Sequence, residues 1–223
     1  MANSNMYNKT VITVYRIGAS RTNDEQDEQA RTKAQRIAID KINADDTILK
    51  DYYLQLKELQ SVDEDQQALV HALSIAQNYS SCDRDELLSP IVLGSPWSSH
   101  SVLTSRVFNI YHMLQISATA TSPTLSGEKY RSFFRTIAND DAQGKQLVRI
   151  CRDFHWTRIA VIYQNDNYGQ NLFRVIQDHA EKAKIEVHSM AVTDADSLKD
   201  AAEFIQKEQL YISILVMQAS DIR

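Results

Sequence analysis

Short β-branched runs alternate with amphipathic stretches along almost the whole chain, and this alternation constrains the fold more than any other feature. Val11-Ile12-Thr13-Val14 is a brief apolar run of the kind that lies buried in a parallel sheet. Ala30, Ala34, Ile37, Ala38 and Ile42 then recur at helical spacing and predict one buried helix face. Asn43-Ala44-Asp45-Asp46 supplies turn formers to end that helix. Tyr52–Leu59 alternates as a strand, and Ala68, Ala72, Ile75, Ala76 and Tyr79 mark a second helix. Pro90 precedes a third strand at 91–94. Ser98–Ile110 reads as a third helix and Leu114–Ala118 as a fourth strand.

The polar stretch Thr119–Tyr130 interrupts this pattern, which then restarts. Phe133–Arg135 forms a short strand. A helix follows with Leu147, Ile150, Cys151 and Phe154 on one face. Strand Ile159–Tyr163, a helix bearing Leu172, Val175, Ile176 and Ala183, strand Ile185–His188, a helix bearing Leu198, Ala201, Ala202 and Ile205, and strand Ile212–Met217 complete it. Strands separated by amphipathic helices mean βαβ units, hence an α/β fold of parallel sheets flanked by helices. The restart divides the chain into an N-terminal α/β lobe at 1–135 and a second, partial α/β lobe at 136–223. With no flexible linker between them, the expected junction is a hinge made by the chain crossing between lobes.

Composition narrows the classes of function. With 43% apolar and 24% charged residues the chain is globular rather than disordered, and a net charge of -5 gives no footprint for nucleic acid. No apolar run reaches the ~18 residues of a membrane span, and the N-terminus lacks the basic start of a signal peptide. Cys82 and Cys151 form no metal-binding spacing, and no metal or cofactor is expected. Cys151 reads as a buried thiol on a helix face, whereas Cys82 lies in a polar loop. Asn8-Lys9-Thr10 and Asn78-Tyr79-Ser80 are glycosylation sequons. GxGxxG after the first strand, GxxxxGK[ST], GxSxG and HExxH are all missing, so the chain is not expected to be an enzyme.

Ligands of open α/β sheets bind at the carboxyl ends of strands, which directs attention to four loops. Gly94-Ser95-Pro96-Trp97-Ser98-Ser99 enters a helix. Ser98 and Ser99 either cap that helix or, with its N–H groups, hold an anion such as a carboxylate. Ala118–Ser122 offers the hydroxyls of Thr119 and Thr121 to an ammonium or a carboxylate, or is simply a Ser/Thr-rich turn. Asn139-Asp140-Asp141 opens the next helix. Asp140 or Asp141 caps it, or a carboxylate there meets a ligand ammonium. In Gln164–Gly169, Asp166 and Asn167 suit a turn and cap. Tyr168 either packs locally or closes over an ammonium.

The ordered run GSPWSSHSV, ATATSPTLS, YRSFFRT and DFHWTRIAVIYQNDNYG, preceded by the helix ARTKAQRIAIDKINAD, resembles the receptor ligand-binding region family from about residue 11 to residue 222. That family includes the extracellular domains of metabotropic glutamate, GABA-B and calcium-sensing receptors, natriuretic-peptide receptors and bacterial branched-chain amino-acid-binding proteins. The spacing is most like that of the amino-acid receptors, the class C G-protein-coupled type. The resemblance implies a two-lobed, Venus-flytrap, periplasmic-binding-protein-like type I fold with its second lobe incomplete here. It places the α-carboxylate contact on Ser98, the Ser-Ala-Thr turn on Thr119 and Thr121, the amine-binding Asp on Asp140 and the aromatic lid on Tyr168.

It implies an extracellular sensor of a plasma-membrane receptor, closing on an amino-acid-like small molecule and working as a homo- or heterodimer. Membrane attachment would come only through parts absent from this chain. Pro96 and Trp97 depart from the small residues usual in the first loop, and the pocket can be remodelled there. A non-binding dimerisation module of the same fold and a bacterial-type amino-acid-binding protein are the alternatives, with a hydrolase built around Ser98 as the enzyme reading.

Overall fold

Strand β1 (Thr10–Ile17) is flanked on both sides, which is why its second half, Val14–Ile17, is wholly buried. In this computed structural model, which describes residues 9–18, 25–59, 64–81 and 87–217, β1 lies inside a five-stranded sheet of order β2-β1-β3-β4-β5. The other strands are β2 (Tyr52–Leu59), β3 (Leu87–Leu93), β4 (Leu114–Ser117) and β5 (Phe133–Arg135), and every pairing is parallel. Cys82 and the Asn8 sequon lie outside the described residues.

The order reverses direction after β2. With right-handed crossovers, α1 (Glu25–Ala44) falls on one face and α2 (Asp65–Ser80) and α3 (Ser98–Ile110) on the other. The core under α2 and α3 gathers Tyr15, Ile17, Ala72, Ile75, Val92, Phe108 and Met113. Asn43 anchors the end of α1. Its amide donates to the Leu54 carbonyl at 2.9 Å and accepts from the Leu54 N–H at 2.8 Å, so the expected turn former also clamps helix to strand.

A second sheet has the order β7-β6-β8, again all parallel, from β6 (Arg158–Gln164), β7 (Glu186–Val192) and β8 (Ser213–Val216). The helices are α4 (Asp140–Asp153), α5 (Asn167–Lys182) and α6 (Ala195–Lys207). Val148, Cys151, Ile159, Val161, Leu172 and Ile176 form one core. Ile162, Val192 and Ala201 form another, so β6 is covered on both faces. The α/β class and parallel sheets read from the sequence are what the structure has.

The described residues divide into two compact units. One takes residues up to Ala120 together with Glu128–Thr136; the other takes Thr121–Gly127 and everything from Ile137 onward. The polar stretch that interrupts the sequence pattern folds into two short 3-10 turns, Pro123–Ser126 and Glu128–Tyr130.

Two helix faces differ from expectation. On α1, Ala30, Ala34 and Ala38 are exposed and Ile37 is 46% exposed, while Glu28 and Ile39 are buried. The buried guanidinium of Arg16 on β1 is the cause. It donates to Glu28 Oε1, and its Nε donates to Gln35 Oε1 at 2.6 Å. The helix is thus rotated to serve a cation rather than its own apolar stripe. On α4 the buried positions are Asp140, Gly144, Val148 and Cys151, leaving Ile150 47% and Phe154 66% exposed. A Cβ at Gly144 would stand 2.6 Å from Val175 Cγ1, so α4 approaches α5 through its smallest residue.

Candidate ligand-binding site

The strand-order reversal puts a topological switch between β1 and β3 in the first unit and between β6 and β8 in the second, the positions where α/β sheets take ligands. In the first unit, β3 ends at Leu93 and is followed by Gly94, whose φ is +96°. A Cβ there would lie 2.1 Å from the Ile17 carbonyl oxygen, so only glycine lets β1 and β3 end side by side. The chain then runs through Ser95, Pro96 and Trp97 into α3.

A polar network fixes this turn. Gln115, fully buried on β4, donates from Nε2 to the Gly94 carbonyl at 2.8 Å and accepts from Thr104 Oγ1 at 3.1 Å. The Ser95 carbonyl accepts from Ser101 Oγ at 2.9 Å and from Ser117 Oγ at 2.8 Å. Thr119 Oγ1 donates to the Pro96 carbonyl at 2.9 Å. The loops after β3 and β4 are therefore one rigid assembly, and Ser98, Ser99 and Thr119 are brought together in it. Because its proton is committed to Pro96, the Thr119 hydroxyl has only acceptor capacity for a ligand, which suits an ammonium.

The N-cap of α3 is Trp97, with no side-chain cap bond. Ser98 and Ser99 are the first two helical residues and not caps, in contrast to the capping reading of the sequence. The backbone turns helical one residue earlier, so both serines lie in the turn whose N–H groups point beyond the helix's own carbonyls. Ser95 Oγ lies 3.3 Å from His100 Nδ1, and His100 Nε2 lies 3.4 Å from Asp65 Oδ1. The three residue types are those of a hydrolytic triad. Ser95 is completely buried, so this chain of contacts lacks the access that a nucleophile needs.

In the second unit, Thr121 accepts from the Asp140 N–H at 3.0 Å through its backbone carbonyl. Asn139 is the N-cap of α4, without a side-chain cap bond, so neither Asp140 nor Asp141 caps the helix as the sequence suggested. Asp140 is the first helical residue and fully buried, a carboxylate at the positive end of a helix dipole. Asp166 caps α5, accepting from the Gly169 N–H at 2.7 Å. Any Cβ at Gly169 would stand 2.0 Å from the Gln164 carbonyl oxygen. This tight turn holds Tyr168 half-buried within electrostatic reach of Asp140. Thr121, Asp140 and Tyr168 are thus brought together in the second unit, whereas Thr119 belongs to the first.

Sequence reasoning passed over Ser95, Gln115 and Ser117. The available signal was a glutamine between Leu114 and Ile116 in a short strand, which a buried sheet accepts only when the group is fully hydrogen-bonded.

Burial pushes the Tyr168 phenol above its ordinary value, and the Asp140 and Asp166 charges act in the same direction, against a hydrogen bond with Gln143. The folded state therefore keeps a proton that the unfolded state loses at about pH 10. Stability from this group is fully present below that pH and is lost as pH rises towards the folded value. Urea midpoints above pH 10 should fall more steeply for the parent than for Tyr168→Phe, and equal slopes would show a phenol open to water.

Among the described residues, no helix is long and apolar enough to cross a membrane, and no group of three or more His, Cys, Asp or Glu side chains could hold a metal ion. Parallel sheets flanked by helices, with polar loops at the switch points, define an α/β domain of the periplasmic-binding-protein-like class. The family model described as "Receptor family ligand binding region" matches residues 30–223, and the chain belongs to that family.

Three relatives are receptors. The extracellular calcium-sensing receptor of Sus scrofa is 23% identical over 205 residues, covering 85% of this chain and 19% of the receptor. G-protein coupled receptor family C group 6 member A of Carassius auratus is 30% identical over 140 residues, covering 60% of this chain and 16% of its own length. Metabotropic glutamate receptor 4 of Macaca fascicularis is 27% identical over 156 residues, covering 63% of this chain and 17% of its own length. The chain thus spans under a fifth of the length of these curated relatives.

Proposed function

We propose that this chain is the ligand-sensing part of an extracellular receptor module of the class C G-protein-coupled type, and that it takes an amino acid or similar zwitterion. The observation that carries the reading is the buried Asp140 carboxylate beside the Tyr168 phenol, at the start of α4. A buried carboxylate next to an aromatic ring matches an ammonium group, by charge-assisted hydrogen bonding and by attraction to the ring face. The first unit offers the complement: Ser98 and Ser99 at a helix start for the ligand carboxylate, and Thr119 as an acceptor. The ligand would then favour closure by the contacts it makes with both half-sites, which is how a binding event becomes a signal. Receptor dimerisation and glycosylation at Asn78, exposed on α2, belong to the same reading.

Calorimetric titration of the chain with glutamate, GABA, glycine and other amino acids tests it. Removing one partner of a buried charge pair costs about 2–5 kcal/mol, so Asp140→Asn should weaken the best ligand at least tenfold, with a clear loss also in Ser98→Ala/Thr121→Ala. No heat with any amino acid, or unchanged affinity in these variants, would leave a non-binding module of the same fold.

A further inference from the structure

A second feature of the second unit lies away from the residues discussed so far. Between α4 and the end of α5 runs a surface groove of about 550 Å³, lined by Lys145, Arg149, Arg152, His179, Lys182 and Lys184 and by no acidic side chain. We propose that this groove binds an extended sulfated polysaccharide.

The charge is specific to the place, since the chain as a whole carries -5. Arg152, His179 and Lys182 stand in the last turns of their helices, where cations are common because they oppose the helix dipole. That account does not extend to Lys145, Arg149 or Lys184. Lys145, Arg149 and Arg152 recur at helical spacing, so they form one row along α4 about 10 Å long. The helices beneath are held by a shared core, which fixes this row relative to His179 and Lys182 on α5. Arg149 and Arg152 pair with Asp153 at 3.6 and 3.1 Å, and His179 with Asp141 at 3.6 Å. These are exposed pairs of low strength that a denser anion can displace.

The kind of anion follows from what else lines the groove. Apart from the half-buried His179 the cations sit on exposed side chains, an arrangement for a polymer lying along the surface and not for a single enclosed oxyanion. His179, paired with Asp141, is the one aromatic ring in the lining, too little for the run of stacked bases that single-stranded nucleic acid requires. Val148 and Ala183 are the only apolar lining residues, too little for insertion into a lipid interface. Sulfate monoesters spaced along a sugar chain supply fixed negative charge, and the Gln146 amide can pair with sugar hydroxyls.

The test uses the full chain and a size-defined heparin fragment, measured by calorimetry and by salt elution from immobilised heparin. Binding that weakens steeply with salt is expected, and Lys145→Glu/Arg149→Glu should raise Kd by about tenfold or more. The control Arg131→Glu/Lys199→Glu makes the same change in net charge at exposed positions elsewhere and should stay within about twofold. Circular dichroism checks that each variant is folded. No binding by the parent chain, an equal loss in the control, or equal affinity for desulfated heparin or an oligonucleotide of matching charge would overturn the proposal. Neither variant touches Asp140 or Ser98, so failure here is distinct from failure of the amino-acid reading.

Discussion

Replacing Phe108 by alanine will lower the stability of the first unit by about 3–5 kcal/mol, measured as a shift of the urea unfolding curve at constant slope. The ring is fully buried on α3 among Ile17, Ile75, Val92 and Met113. Facing it, α2 presents Ala68, Ala72 and Ala76, all without measurable exposure. Alanines along one face bring that helix close to the sheet, and its backbone cannot move in to fill the space a lost ring would leave. Large-to-small changes cost most where the surroundings cannot collapse. A loss below about 2 kcal/mol would mean that α2 and α3 re-pack readily, contrary to the close approach described above.

Glu28→Ala should cost about 3–5 kcal/mol, through charge and not through volume. Arg16 and Glu28 are both buried, and Glu28 Oε2 also accepts from Arg31 Nε at 3.0 Å. Gly18 passes so near that a Cβ would stand 2.5 Å from Glu28 Oε1. Removing the carboxylate leaves the Arg16 cation out of water and deprived of its counter-charge. The double replacement Arg16→Met/Glu28→Leu removes both charges at similar volume and should recover most of the loss, since buried pairs seldom outperform apolar residues of the same shape. A double variant as unstable as Glu28→Ala would assign the effect to packing.

The same ion pair marks where the sequence stopped being legible. Elements were readable from short β-branched or alternating runs for strands and from 3.6-residue periodicity for helices. Strands Tyr52–Leu59 and Phe133–Arg135 and helix Ser98–Ile110 lie where the pattern places them. The face of α1 was not readable. Counting apolar residues selects Ala30, Ala34, Ile37, Ala38 and Ile42, whereas the inward face runs through Glu28, Gln35 and Ile39, a set defined by a charge on β1, Arg16, twelve residues before Glu28 and nineteen before Gln35. For the candidate site, the residue types and loops could be read from the four strand ends. The network that stiffens them could not, because Gln115 reaches the Gly94 carbonyl across a strand pairing that no local pattern encodes. Nor does spacing reveal that Thr119 and Thr121, two residues apart, belong to different units.

The path of the chain between units also bears on how such a gene can be cut and recombined. The polypeptide passes from one unit to the other after Ala120, after Gly127 and after Thr136. No single break therefore yields two whole pieces. A cut after residue 120 takes β5 from its sheet, and a cut after residue 136 takes from the second piece the carbonyl that receives the Asp140 amide. A hybrid with a related receptor would need to exchange its parts at matched triple junctions.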